Sequence, residues 1–219
     1  MFLECGPFSA RDGEGRVLFD DVSVALESSR CVAIEGPSGG GKSTLLRHVA
    51  ALAWSPDATR RLDGHIYRGV ELPAWRSRVT LVAQDAPMIT GAVRENLIFP
   101  FSQKAAGRER RFDEVRAAAL MTRVGLEKLS FEREVRKLSG GERHRLALVR
   151  GLLWDPTVLV VDEPLSGLDP ETADICFNLL LEFGRRPGRL LLCVLHDTVM
   201  NGRVDRRFRL GNGRLREKA

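Results

Sequence analysis

The stretch Glu35-Gly36-Pro37-Ser38-Gly39-Gly40-Gly41-Lys42-Ser43-Thr44 constrains this chain more than any other. It has the form G-x-x-x-x-G-K-[ST], a phosphate-binding P-loop. The motif carries weight only between a strand and a helix. Both flanks are present: the apolar run Cys31-Val32-Ala33-Ile34 precedes it, and residues 45–52 read as a helix. Gly36, Gly39, Gly40 and Gly41 let the backbone turn successive N–H groups inward onto phosphate oxygens. The helix N-terminus adds its partial positive charge. In such a loop Lys42 reaches the β- and γ-phosphates and the Ser43 hydroxyl binds Mg²⁺. The expected cradle therefore comprises Gly36, Pro37, Ser38, Gly39, Gly40, Gly41, Lys42, Ser43 and Thr44.

A chain of 219 residues, 43% hydrophobic and 29% charged, suits one large globular domain, or one with a subdomain inserted. No apolar run approaches the roughly 18 residues that span a bilayer. The first residues lack the basic, apolar and small-residue order of a signal peptide, so none is expected. The four cysteines are scattered, with no C-x-x-C pair. Cys31 and Cys193 lie in apolar runs and are expected as reduced core residues of a cytosolic protein. The net charge of +5 is spread along the chain, denser at 108–111 and 203–209. Both runs are expected as solvated faces. Only 6% of residues are aromatic, none alternating with basic residues as a base-stacking platform requires, so no nucleic acid partner is expected.

Along the chain, residues 2–5 and 22–26 read as strands separated by the turn Asp12-Gly13-Glu14-Gly15. Residues 78–83 form a strand ending at Gln84, where a polar side chain can face a ligand at the sheet's C-terminal edge. Residues 91–137 read as a mainly helical insertion. One helix starts near Gly91. Another spans 113–124, with Val115, Ala118, Ala119 and Met121 at helical spacing. Leu138-Ser139-Gly140-Gly141-Glu142 opens a helix over 143–153, with Ser139 and Glu142 as a capping box. The apolar strand Thr157-Val158-Leu159-Val160-Val161 ends in Asp162 and Glu163. The first carboxylate of such a strand serves Mg²⁺ and the second can handle water. A helix follows from Pro170 to about Phe183, then a buried strand over 189–195 that ends at His196. The chain closes with a strand near 207–210 and a basic tail.

The motifs fall in a telling order: P-loop, Gln84, Leu138-Ser139-Gly140-Gly141-Glu142, Val160-Val161-Asp162-Glu163-Pro164, Ser166-Gly167-Leu168-Asp169, His196. In that order they resemble an ATP-binding-cassette (ABC) ATPase over nearly the whole chain. The resemblance implies an α/β fold. Its P-loop NTPase core has a mainly parallel sheet (1–86 and 150–219), carries an N-terminal antiparallel β subdomain, and receives an inserted helical subdomain (87–149). It implies ATP and Mg²⁺ as cofactors, with Ser43, Gln84 and Asp162 serving the metal. Lys42 would hold phosphate, Glu163 would be the general base, and His196 would touch the γ-phosphate. Ser139, Gly140 and Gly141 would contact ATP bound by a second copy, and Asp169 would communicate across that head-to-tail homodimer.

The family also implies a separate integral membrane permease, docked after Gln84 near Met88 to Phe101. The chain would then sit on the inner face of the cell membrane through that partner. Asn96-Leu97-Ile98-Phe99-Pro100 resembles the bacterial iron-export type. A non-transport ABC ATPase of DNA repair or translation is the alternative. The chain departs from the family pattern in three places. No aromatic residue stands near Ala10 to Asp12 to stack on adenine, leaving Arg11 or Phe8 for that task. Gly40 replaces a commoner serine, and Glu142 a commoner glutamine.

Overall fold

The computed structural model describes residues 2–28, 30–104, 110–195, 200 and 202–218. Two sheets organise it. The first is antiparallel, in the order β2-β1-β4-β5, built from β1 (Phe2–Arg11), β2 (Val17–Glu27), β4 (Thr59–Leu62) and β5 (His65–Ile66). The second has six strands in the order β10-β9-β3-β8-β7-β6: β3 (Arg30–Glu35), β6 (Val79–Val82), β7 (Val158–Asp162), β8 (Leu190–Val194), β9 (Arg206–Gly211) and β10 (Arg214–Lys218). All its pairings are parallel except the β9–β10 hairpin. This is the mixed architecture expected from the sequence.

Strand periodicity explains why the second sheet is buried on both faces. Side chains alternate sides along a strand. Val32 and Ile34 of β3, Val158 and Val160 of β7, and Leu190 and Leu192 of β8 enter a core shared with the first sheet and helix α1 (Lys42–Val49). Their neighbours Cys31, Ala33, Leu159, Val161, Leu191 and Cys193 enter a second core with α5 (Gly140–Trp154) and α6 (Pro170–Arg185). A fully buried Val or Leu contributes about 1.5–3 kcal/mol, so these two layers, more than any surface ion pair, fix the sheet. All four cysteines are free and buried. Burial pushes the Cys5 thiol up to about 12, with Arg60 opposing, so it stays protonated and inert.

A short helix, α2 (Leu72–Arg78), leads into β6, and the helical block contains α3 (Val93–Ser102) and α4 (Glu114–Arg123). Its core is continuous with the second layer, because α5 runs unbroken from Gly140 to the sheet. There Gly151 lies so close to β6 that a Cβ would meet Val82 Cγ2 at 2.6 Å. Helix α3 runs through Pro100 to Ser102. Two expectations need correction. Of the stripe expected on α4, Met121 is buried, but Val115 is 82% exposed, Ala118 and Ala119 are exposed too, and Ala117 is buried in their place. The basic tail is strand β10, paired along its length with β9.

Candidate nucleotide site

The P-loop is shaped by close backbone approaches. The chain leaves β3 and turns at Gly36 with φ 155°. A Cβ at Gly36 would lie 2.3 Å from the Leu210 carbonyl oxygen. Gly41, at φ 90°, precedes α1 and would clash with Leu18 and Phe19 if it carried a side chain. Helix α1 then starts with no side-chain cap and no acidic residue in its first turn. Its leading N–H groups are therefore left for an anion. Lys42 is 5% exposed, and its Nζ donates to the carbonyls of Gly36 (3.0 Å) and Pro37 (2.9 Å). Burial pulls the Lys42 pKa down, and the charges of Glu163 and Asp162 oppose that pull.

Sheet order brings the carboxylates to the same edge. Strand β7 ends at Asp162, one strand removed from β3, and β6 leads into Gln84 on the far side. Gln84 Nε2 donates to Glu163 Oε2 at 2.9 Å. Glu163 has φ 48°, a left-handed conformation uncommon for a non-glycine residue and characteristic of functional turns. The Ser43 side chain lies beside the Asp162 carboxylate and favours its charged form. Asp162 Oδ1 is nevertheless buried without a hydrogen-bond partner among the described residues. Burial pushes the Asp162 carboxyl up, as does Glu163, against the Ser43 side chain and the Arg47 and Lys42 charges. A buried carboxylate oxygen with no donor, next to a hydroxyl and a phosphate cradle, fits a hard cation such as Mg²⁺.

Lys42, Ser43, Gln84, Asp162 and Glu163 are thus brought together. His196 lies outside the described residues. Ser139, Gly140 and Gly141 are not joined to the P-loop by any hydrogen bond among the described residues. They open α5 through the expected capping box: Ser139 Oγ accepts from Glu142 N at 3.2 Å, and Glu142 Oε2 accepts from Ser139 N at 2.7 Å. This turn packs on the Ser166–Asp169 segment, with His144 Nδ1 3.1 Å from the Ser166 carbonyl oxygen and Leu168 against Gly141. Asp169 caps α6 by accepting from Thr172 N at 3.0 Å.

At the other end of the loop the adenine expectation changes. Phe8 is 1% exposed and packs on His48 with ring centroids 5.4 Å apart, so it is core and cannot face a base. Arg11 donates to the Gly15 carbonyl. The cation that reaches the P-loop is Arg16, whose Nη2 lies 3.5 Å from the Gly39 carbonyl oxygen. The sequence signal for it was present in the Asp12–Arg16 spacing, which closes a turn, but no linear motif marks it.

Comparison with known proteins agrees with this geometry. A family model described as ABC transporter matches residues 19–166. The chain is similar to the lipoprotein-releasing system ATP-binding protein LolD 2 of Rhodospirillum rubrum, 35% identical over 97% of this chain and 95% of that protein. It is similar to the Fe(3+) ions import ATP-binding protein FbpC of Streptomyces coelicolor, 38% identical over 84% of this chain and 51% of that protein. Among solved structures it is similar to the dimeric post-hydrolysis state of an ATP-binding cassette bound to ADP and Pi. That match has a TM-score of 0.82 and 26% identity, covering 99% of this chain and 97% of the other.

Proposed function

The chain belongs to the ABC transporter family of ATPases, and from that premise we propose that two copies bind two ATP head-to-tail and drive a separate membrane permease. The chain is an ATP-hydrolysing transport subunit. The observation that carries the site assignment is the buried, unpartnered Asp162 Oδ1 beside Ser43 at the mouth of a P-loop. Ser43, Gln84 and Asp162 would hold Mg²⁺, which when bound neutralises charge on the β- and γ-phosphate oxygens. Lys42 exchanges its two loop carbonyls for phosphate oxygens. Glu163, held by Gln84, accepts the proton of the attacking water. His196 at the γ-phosphate, and Ser139, Gly140, Gly141 and Asp169 toward the second copy, complete the proposed site on the strength of the family resemblance. Phosphoryl transfer depends on such positioning and charge neutralisation more than on covalent chemistry. Splitting the contacts between two copies makes ATP the link that closes the dimer.

The described residues contain no helix long and apolar enough to cross a membrane, so the proposed transport role requires a permease, which would hold this chain at the membrane's inner face. The cleft between β6 and the helical block, about 380 Å³ and lined by Pro87, Pro100, Arg150 and Trp154 among others, supports docking there. The two relatives above are named for lipoprotein release and ferric-ion import, which supports transport over DNA repair or translation. Those names give the iron-export expectation no support. Its motif also has a packing explanation. Asn96 is buried, accepts from Ile89 N, and donates to the Ile89 and Ala92 carbonyls, bracing the start of α3.

The test is Glu163→Gln with ATP and Mg²⁺. Hydrolysis is expected to fall about a hundredfold or more, and gel filtration should show an ATP-dependent dimer. Near-normal hydrolysis in this variant would remove the assignment of the base. A monomer at saturating ATP would remove the shared-site reading.

A further inference from the structure

Strand β9 runs beside β3, with Arg209 in register with Glu35. Across the β9–β10 hairpin Arg216 stands directly opposite Arg209, and Arg214 opposite Gly211. Alternation along β10 therefore puts Arg214, Arg216 and Arg209 on one face of the hairpin. A cavity of about 460 Å³ lies against them, lined by Pro37, Arg209, Gly211, Asn212, Arg214 and Arg216. That volume falls within the range of small-molecule pockets. Three guanidiniums border it, and no carboxylate does.

The acids that could neutralise these arginines are engaged elsewhere. Glu35, the register partner of Arg209, has its Oε2 2.9 Å from Lys218 Nζ. Glu217, the one carboxylate of the hairpin strands, points to the other face and accepts from Arg206 through both oxygens at 2.7 Å. The side chains of Arg209, Arg214 and Arg216 are exposed, and none has a hydrogen-bond or ion-pair partner among the described residues. Like charges directly opposite each other destabilise a ladder. The hairpin thus holds an arrangement that is unfavourable alone and that an anion between the two strands would relieve. A planar guanidinium meets a phosphate through two parallel N–H bonds.

We propose that this face of the β9–β10 hairpin is a binding site for a phosphate-bearing anion, held by Arg209, Arg214 and Arg216. The site is separate from the nucleotide cradle and does not depend on the ATP reading. Of the P-loop only Pro37 borders it, and proline has no N–H to give a phosphate.

The probe is inorganic pyrophosphate without Mg²⁺, titrated calorimetrically into the full chain carrying Lys42→Ala, which takes the P-loop out of the measurement. One pyrophosphate is expected to bind and to raise the melting temperature. Arg209→Gln and Arg216→Gln, each added to that chain, should weaken binding about tenfold, the loss of one charge-assisted contact. Arg216→Glu should abolish it. That last change also removes the like-charge pair, so its chain should melt higher while binding nothing, which separates loss of the site from loss of the fold. Potassium chloride at matched ionic strength is the control, since screening relieves exposed charges without any site. Absence of binding in the Lys42→Ala chain overturns the proposal. So does binding that the arginine substitutions leave unchanged, or a rise in melting temperature that chloride reproduces. Once binding is seen, phosphatidylcholine vesicles with and without phosphatidic acid identify its source. Co-sedimentation that needs phosphatidic acid and is lost in Arg216→Glu puts the phosphate on a lipid headgroup; no co-sedimentation puts it on a soluble phosphate ester or polyphosphate.

Discussion

Gly36 shows how little room the P-loop leaves for variation. An alanine there would need its Cβ where the Leu210 carbonyl oxygen already lies, 2.3 Å away, at φ 155°. Neither partner is a flexible side-chain end, so backbone must move. Gly36→Ala is expected to cost about 1–3 kcal/mol of stability and to abolish ATP binding, because the loop that cradles phosphate is the part displaced. Urea denaturation and ATP titration check both; a variant with wild-type stability would mean that the loop relaxes freely. At this scale much of the site was legible. Lys42, Ser43, Gln84, Asp162 and Glu163 each stand in a local pattern whose chemistry follows from a few adjacent residues. Phe8 and Arg16 were not legible, because their fates depend on His48 and Gly39, distant in sequence.

The β9–β10 hairpin carries the clearest conflict within an element. Arg216 sits directly opposite Arg209 across the antiparallel ladder, with Arg214 and Lys218 on the same face of β10. Like charges directly opposite each other are destabilising. Lys218 is relieved by Glu35, whose Oε2 lies 2.9 Å from its Nζ. Arg216→Glu places an opposite charge across from Arg209 and is expected to raise stability by about 0.5 kcal/mol at low salt, with the gain shrinking at high salt. Thermal denaturation at two ionic strengths measures it, and a lower melting temperature at low salt would contradict it. Leu215 is the one apolar residue among Arg214–Lys218, which is why β10 reads as a tail. A strand whose exposed face is all cationic has the composition of a solvated run, and only its pairing with β9 makes it a strand. Helix α4 misleads in a related way: several small apolar residues permit more than one buried stripe, and packing on α5 selects Ala117 and Met121 over Val115.

Across the whole molecule, the order of apolar strands and intervening helices made a mainly parallel sheet legible. The ties between distant segments were not, since they depend on which loops meet. Asp155 is the strongest example. It ends α5 in a left-handed conformation, φ 54°. Its carboxylate accepts from Arg186 (2.8 Å) and Arg189 (2.7 Å) beyond α6, with Arg116 of α4 at 3.8 Å. One side chain therefore ties together the helical block, the end of α5 and the approach to β8. Burial alone would raise its carboxyl pKa, but the hydrogen bonds and charges of Arg189 and Arg186 prevail and hold it below the usual range. A carboxyl lowered on folding contributes stability that is fully present above its unfolded value, about 3.9, and is lost as pH falls through the folded value. Asp155→Asn keeps a residue that tolerates the left-handed backbone and removes only the charge. It is expected to cost about 1–2 kcal/mol at pH 7. The difference from the unsubstituted chain should begin to shrink as the pH falls below about 4 and close once the pH has passed through the lowered folded value, where both carry a neutral side chain. Urea denaturation across pH 3–7 gives the profile. A deficit that persisted undiminished at the acid end would show that the carboxylate's charge is not what joins these three segments.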